Sequence, residues 1–181
     1  MSFPLLDEWL PANSDPERPQ MILSTVSGNG IPDARTVLLT ELDSEGLYFH
    51  TDSRSRKVAD IAGNPAVALT FLWPGFTRQL VVQGRAEVAS ASELAAAFEA
   101  RSPYLKQLAW QYSSKFAQLD RDERLSQWAA FKLPAEAPAT WIGFLVRPPH
   151  LTFWGSNQDA ASRREEFTLV DGDWMSSYLP G

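Results

Sequence analysis

Apolar and polar positions alternate with a period near two through most of the first half of the chain. Met21-Ile22-Leu23-Ser24-Thr25-Val26 reads as a strand. Ser27-Gly28-Asn29-Gly30 follows as a hairpin turn, because Gly and Asn tolerate positive φ. The β-branched and aliphatic run Arg35-Thr36-Val37-Leu38-Leu39 predicts a buried strand, and Asp43 to Gly46 a turn. Leu47-Tyr48-Phe49-His50-Thr51 is the returning strand. Ala66 to Trp73 and Arg78 to Val88 add two more, with Gly84 marking a bulge. Strands joined by such short turns predict a small antiparallel barrel or a sharply curved sheet.

Helical spacing interrupts this pattern. Val58, Ile61 and Ala62 form one apolar face, with Ser55 as N-cap, Gly63 as a stop and Asn64-Pro65 as a break. From Ser90 to Arg101 the period lengthens again. Ser90 and Glu93 make a capping box, and Leu94, Ala97 and Phe98 share a face. Ser102-Pro103 starts another helix, lined by Leu105, Leu108 and Ala109. Asp120 to Lys132 predicts a third, with Leu125, Trp128 and Ala129 inward. The faces through Phe98, Leu108 and Trp128 read as core. Trp141 to Val146 returns to a strand, Pro148-Pro149 interrupts it, and Leu151 to Trp154 forms another. Phe167 to Val170 and the segment from Trp174 make a hairpin around Asp171-Gly172. Residues 1–20 read as an arm with a short helix, apolar near Trp9, and residues 21–181 as a single domain. The class is α+β: a mostly antiparallel barrel with inserted helices.

Composition narrows the chemistry. With 44% hydrophobic and 12% aromatic residues, the chain packs a core. The absence of Cys removes thiol nucleophiles, disulfides and cysteine metal sites. The two histidines, His50 and His150, stand in no metal-ligand spacing, so no metal is expected. A net charge of −6 argues against a nucleic-acid surface. No signal peptide or membrane span is expected, and the cytoplasm is the expected compartment.

One basic cluster stands out against the acidic background. Asp52-Ser53-Arg54-Ser55-Arg56-Lys57 sets cations in the first turn of the helix that begins after Ser55. That end of a helix already carries positive charge, so a bound anion such as a phosphate would neutralise the cluster. From spacing alone, a solvated basic turn is the simpler account.

In order along the chain, Arg35-Thr36-Val37-Leu38-Leu39, His50-Thr51, Ser55-Arg56-Lys57, Asn64-Pro65, Arg78-Gln79 with Gly84, Arg101, Trp110, Phe153-Trp154, Arg164 and Trp174 with Leu179-Pro180 form a pattern. It resembles the pyridoxamine 5′-phosphate oxidase family of FMN-binding split barrels. The resemblance implies a flavin mononucleotide (FMN) site at the interface of a homodimer. Arg35, Arg56 and Lys57 would hold the phosphate, with hydroxyls from Thr51 and Ser55. Thr36, Val37, Leu38 and His50 would line the flavin ring and ribityl chain. Gln79 would meet the ring's polar edge, Ser113 would match a further contact, and Trp154 and Arg164 would reach in from the second subunit. Taken singly, Gln79 also reads as an outward strand residue, Trp154 as core and Arg164 as part of a solvated charge run.

The same resemblance exposes departures. Where the oxidases bind their substrate with a Lys, a Tyr, a Ser and a late Arg and His, this chain has Thr40, Ala97, Leu105, Ala160 and Ser162. Of that set only Arg101 is retained, and it is the expected substrate contact. The expectation is an FMN-dependent oxidoreductase acting on a small anionic or carbonyl-bearing molecule, with no catalytic acid or base assigned. A flavin carrier or sensor without turnover is the alternative, and the true oxidase is the less favoured one. A deazaflavin or haem protein on the same barrel is a further possibility.

Overall fold

The structure, a computed structural model, describes residues 4–181. Among them, nine strands form one antiparallel sheet. They are β1 Gln20–Val26, β2 Pro32–Leu38, β3 Glu41–Leu42, β4 Leu47–Asp52, β5 Ala66–Leu72, β6 Arg78–Val88, β7 Trp141–Gly155, β8 Arg163–Val170 and β9 Asp173–Pro180. The order is β2-β1-β5-β6-β7-β4-β3, with β8 on the far half of β7 and β9 beyond it. The sheet curls until β2 comes up against β4 without pairing with it, which leaves a seam. This is the split barrel that the strand pattern and the resemblance predicted.

Alternation along the strands builds the core. In β1, Met21, Leu23 and Thr25 point inward while Gln20 and Ile22 face out. Leu23, Leu39, Leu47, Phe49, Leu80 and Val146 are fully enclosed. Helix α1, Pro4–Trp9, closes one side: Leu6 and Leu10 join this core, and the Trp9 ring packs edge-on against Trp73 and Phe153. The stretch near Trp9, expected as an arm, is therefore packed on its own chain.

Strand β7 corrects a second expectation. It runs unbroken for 15 residues despite Pro148-Pro149. Gln83 pairs with His150 and Arg85 with Arg147, so the two prolines together oppose Gly84. On the other side of β7, β4 pairs only as far as Val146 and β8 starts at His150. The prolines thus occupy the stretch where no neighbour needs their missing N–H groups. A Cβ on Gly84 would lie 2.4 Å from the Arg147 carbonyl oxygen, so the bulge predicted at this glycine depends on its lacking a side chain.

The inserted helices are α2 Arg56–Gly63, α3 Ala91–Glu99, α4 Pro103–Gln111, α5 Ser114–Ala117 and α6 Arg121–Ala130. Ser90, Ser102, Ser113 and Asp120 cap α3 to α6 by accepting from backbone N–H groups. The short α5 has too few residues to leave a periodic trace and was not expected. On α6, Leu125 and Ala129 are exposed and only Trp128 turns in, against Tyr104 and Phe116.

Candidate active site

The seam between β2 and β4 opens into a cleft of about 700 Å³. One wall is Thr36, Val37 and Leu38 on the edge of β2 that has no partner strand. The floor is His50, Thr51 and Asp52 at the end of β4, with Thr140 and Trp141 at the start of β7. Ser55 and Lys57 enter at the N-terminus of α2, and Arg101, Leu105, Leu108, Tyr112 and Ser113 come from the α3–α5 side. Leu108 is thus a cleft residue and not the core residue that its helical face suggested.

The basic cluster divides on folding. Arg54 bridges Asp52, and Arg56 bridges Asp33 at 3.0 Å with its side chain 86% exposed. Arg35 lies just behind the wall, donating to Thr25 Oγ1 at 2.7 Å and pairing with Asp33 at 2.8 Å and Asp60 at 3.5 Å. Carboxylates therefore answer much of this positive charge within the chain. Lys57 differs: its Nζ donates to Thr51 Oγ1 at 3.2 Å, and no ion pair to it occurs among the described residues. Burial, reinforced by Arg35, lowers its pKa. Beside it the Ser55 side chain caps nothing, and its Oγ is buried without a hydrogen-bond partner.

A second constellation lies deeper. The His50 ring stacks on Trp141 with centroids 5.0 Å apart, and the Arg101 guanidinium lies 4.5 Å from the centre of the same indole. Thr40 Oγ1 donates to the Tyr48 carbonyl, so it accepts from His50 Nδ1 at 2.8 Å. That fixes the imidazole as the Nδ1–H tautomer, leaving Nε2 with a lone pair and no partner. Burial, and secondarily Arg101, pushes its pKa down to about 4. His50 is therefore neutral at pH 7, and the 3.9 Å approach of Glu93 to Nε2 is not an ion pair there. Arg101 has a pKa lowered to about 10 by burial, so it stays charged. Its Nε is buried and unpartnered. A cation over an indole face contributes about 0.5–2 kcal/mol.

Three predicted site residues stand apart from this cleft. Gln79 pairs in register with Trp154, and Trp154 with Arg164, so they form one row across β6, β7 and β8. Trp141 and Trp154 are 13 residues apart on β7, roughly 40 Å of strand at about 3.3 Å per residue. Arg35 and Arg56 also lie outside the cleft lining, whereas Thr36, Val37, Leu38, His50, Thr51, Ser55, Lys57, Arg101 and Ser113 share it. Ala160 and Ser162 line a separate hollow of about 470 Å³ beside Trp9. Trp141, Tyr112 and Thr140 line the cleft and were not among the expected site residues. Trp141 was read only as the start of a strand.

Comparison with known proteins identifies the family. Residues 13–142 match the family described as Pyridoxamine 5'-phosphate oxidase. The chain is 37% identical over 174 residues to the pyridoxine/pyridoxamine 5′-phosphate oxidase of Teredinibacter turnerae, covering 93% of this chain and 82% of that protein. It is 40% identical over 161 residues to the protein of the same name from Thermobifida fusca, covering 84% and 72%. Among solved structures, PhzG from Burkholderia lata 383, in complex with tetrahydrophenazine-1-carboxylic acid, superposes with a TM-score of 0.75 at 20% identity, covering 97% and 98% of the two chains. A pyridoxamine 5′-phosphate oxidase-related, FMN-binding protein from Nostoc punctiforme PCC 73102 gives a TM-score of 0.75 at 18% identity, covering 90% and 88%. At such identities the two structures speak to the fold. The chain belongs to the pyridoxamine 5′-phosphate oxidase family, and its cofactor is FMN.

The cleft suits that cofactor. A phosphate needs charge-assisted donors, and an unpaired lysine, an orphaned buried hydroxyl and the N-terminus of an eight-residue helix meet here. The unpartnered edge of β2 offers backbone donors and acceptors to a polar ring edge.

Proposed function

We propose that this chain is an FMN-dependent oxidoreductase, working as a cytoplasmic homodimer on a small anionic or carbonyl-bearing molecule other than pyridoxine phosphate. The observation that carries the reading is the meeting of Lys57, the unpartnered Ser55 hydroxyl and the N-terminus of α2 in the cleft. Lys57 and Arg35 hold the phosphate, with Thr51 and Ser55 as hydroxyl donors. Arg56 joins them by leaving Asp33, since an ion pair this exposed is screened by water and holds it weakly. Thr36, Val37, Leu38, His50 and Ser113 line the ring and ribityl chain. Gln79, Trp154 and Arg164 complete the site from the partner subunit, which accounts for their standing together and away from the cleft of their own chain.

Bound FMN supplies hydride transfer at its ring, and the chain's own residues bind, orient and exclude water. Leu105, Leu108, Ala109 and Tyr112 give the substrate side of the cleft an apolar wall, and Arg101 is the buried cation in it. Curated relatives bear the oxidase name, yet the residues facing the substrate have changed. Thr40 has its hydroxyl bonded to Tyr48 and His50 within the fold, and Leu105 offers no hydrogen bond. A phosphate dianion would meet too few donors. A flavin carrier without turnover is the second reading, and the loss of substrate-binding groups alongside a kept cofactor grip favours it.

FMN titration of the wild-type protein and of Lys57→Ala tests the proposal, followed by reduction and reoxidation of the loaded protein. The expectation is tight binding that Lys57→Ala weakens by about tenfold or more, reoxidation by an added acceptor, and no turnover of pyridoxine 5′-phosphate. Reduction that no acceptor reverses would favour the carrier. Turnover of pyridoxine 5′-phosphate would restore the oxidase.

A further inference from the structure

We infer that Trp141 is a positioning residue that fixes Arg101 as the receptor for a planar monocarboxylate in the cleft. The inference rests on the proposed function, because the carboxylate is taken to be part of the substrate that meets FMN there.

Arg101 sits on the turn between α3 and α4. Its Nε is buried without a partner, and no carboxylate reaches ion-pair distance of it among the described residues. A buried guanidinium without an acid is unfavourable unless an anion arrives. What holds it meanwhile is the indole of Trp141, 4.5 Å away. That indole is itself locked. Its Nε1 donates to the Leu94 carbonyl at 3.0 Å, Phe98 packs against it edge-on, and His50 stacks parallel to it. His50 is pinned in turn through Thr40, and Gly143 leaves it room: a Cβ there would lie 2.5 Å from the imidazole. The chain therefore settles the position of the guanidinium before any ligand binds, and a flexible side chain loses less freedom on binding.

Four cations line the cleft: Arg54 is paired with Asp52, Lys57 is assigned to the FMN phosphate, Lys115 lies on α5, and Arg101 alone stacks on Trp141. Beside Arg101, His50 is neutral, Trp141 is uncharged, and the adjoining wall is Leu105, Leu108, Ala109 and Tyr112. A guanidinium fork matches one carboxylate in its own plane, and an aromatic body fits the apolar wall beside it. A phosphate dianion would need a second positive partner that this wall does not hold.

The test uses the FMN-loaded protein, with benzoate and phenyl phosphate as probes read by perturbation of the flavin absorbance. Benzoate is expected to bind about tenfold or more tighter than phenyl phosphate. Arg101→Met and Trp141→Leu, each measured on protein loaded with FMN, should each raise the benzoate Kd by about tenfold. Trp141→Phe, which keeps a ring face, should raise it by about two- to fivefold. On the Arg101→Met background neither Trp141 substitution should change it further. That Phe comparison carries the test should the Leu variant fail to fold. An unchanged benzoate Kd in the Trp141 variants, with a clear rise in Arg101→Met, would overturn the positioning role. Tighter binding of phenyl phosphate would overturn the carboxylate. Failure of the wild-type chain to take up FMN would instead defeat the proposed function, and it is read before any probe is added.

Discussion

His50 shows how one side chain ties the site to the stability of the chain. Its pKa falls from 6.5 to about 4 on folding, mainly through burial. The folded state therefore binds this proton more weakly than the unfolded state. The resulting stability is fully present above pH 6.5, is lost as the pH falls towards about 4, and amounts to about 3 kcal/mol. Urea unfolding of wild type and His50→Gln should show a stability difference that shrinks from pH 7 to pH 4. A difference independent of pH would contradict the assignment. Gly143 supplies a companion prediction. Gly143→Ala puts a Cβ 2.5 Å from His50 and should lower stability by about 1–3 kcal/mol, read from the same unfolding curves. At this scale the sequence was partly legible. Lys57 and Ser55 were marked by charge and capping pattern, because helix-end electrostatics act locally. The His50–Trp141–Arg101 association joins three distant segments, and no local pattern encodes it.

At the scale of elements, alternation and turn chemistry made β1, β2 and β4 to β6 legible. So did the β8–β9 hairpin, whose Asp171 and Gly172 both take positive φ. The misreadings have a common cause in tertiary context. Pro148-Pro149 looks like a break, but it falls where β7 lacks a second neighbour, opposite Gly84. Leu125 looks like a core residue from its spacing, but α6 turns only Trp128 inward. The bulge yields a prediction: Gly84→Ala brings a Cβ to 2.4 Å from the Arg147 oxygen and should lower the thermal midpoint by several degrees, about 1–3 kcal/mol. An unaltered midpoint would mean that β6 and β7 can pair without this close approach.

On the scale of the whole molecule, the candidate site falls into two groups that one chain does not bring together. The cleft group surrounds Lys57 and Ser55, and the second group is the row Gln79, Trp154 and Arg164. The strand and helix pattern did not separate the two groups, because the split follows from the length of β7 and the curl of the sheet; the family resemblance alone set Trp154 and Arg164 apart as coming from the second subunit. A homodimer with shared sites makes a specific prediction. Lys57→Ala and Arg164→Ala homodimers should each bind FMN poorly. A heterodimer of the two should regain one intact site, because one cleft then carries Lys57 beside the partner's Arg164. Mixing that restores no FMN binding would contradict the shared site.

FMN in the cleft underlies every role assigned above. The visible absorption spectrum of the purified protein, together with the mass of whatever denaturation releases, decides whether it is there. A flavin spectrum and released FMN are the expected result. A colourless protein that also fails to take up added FMN would contradict it.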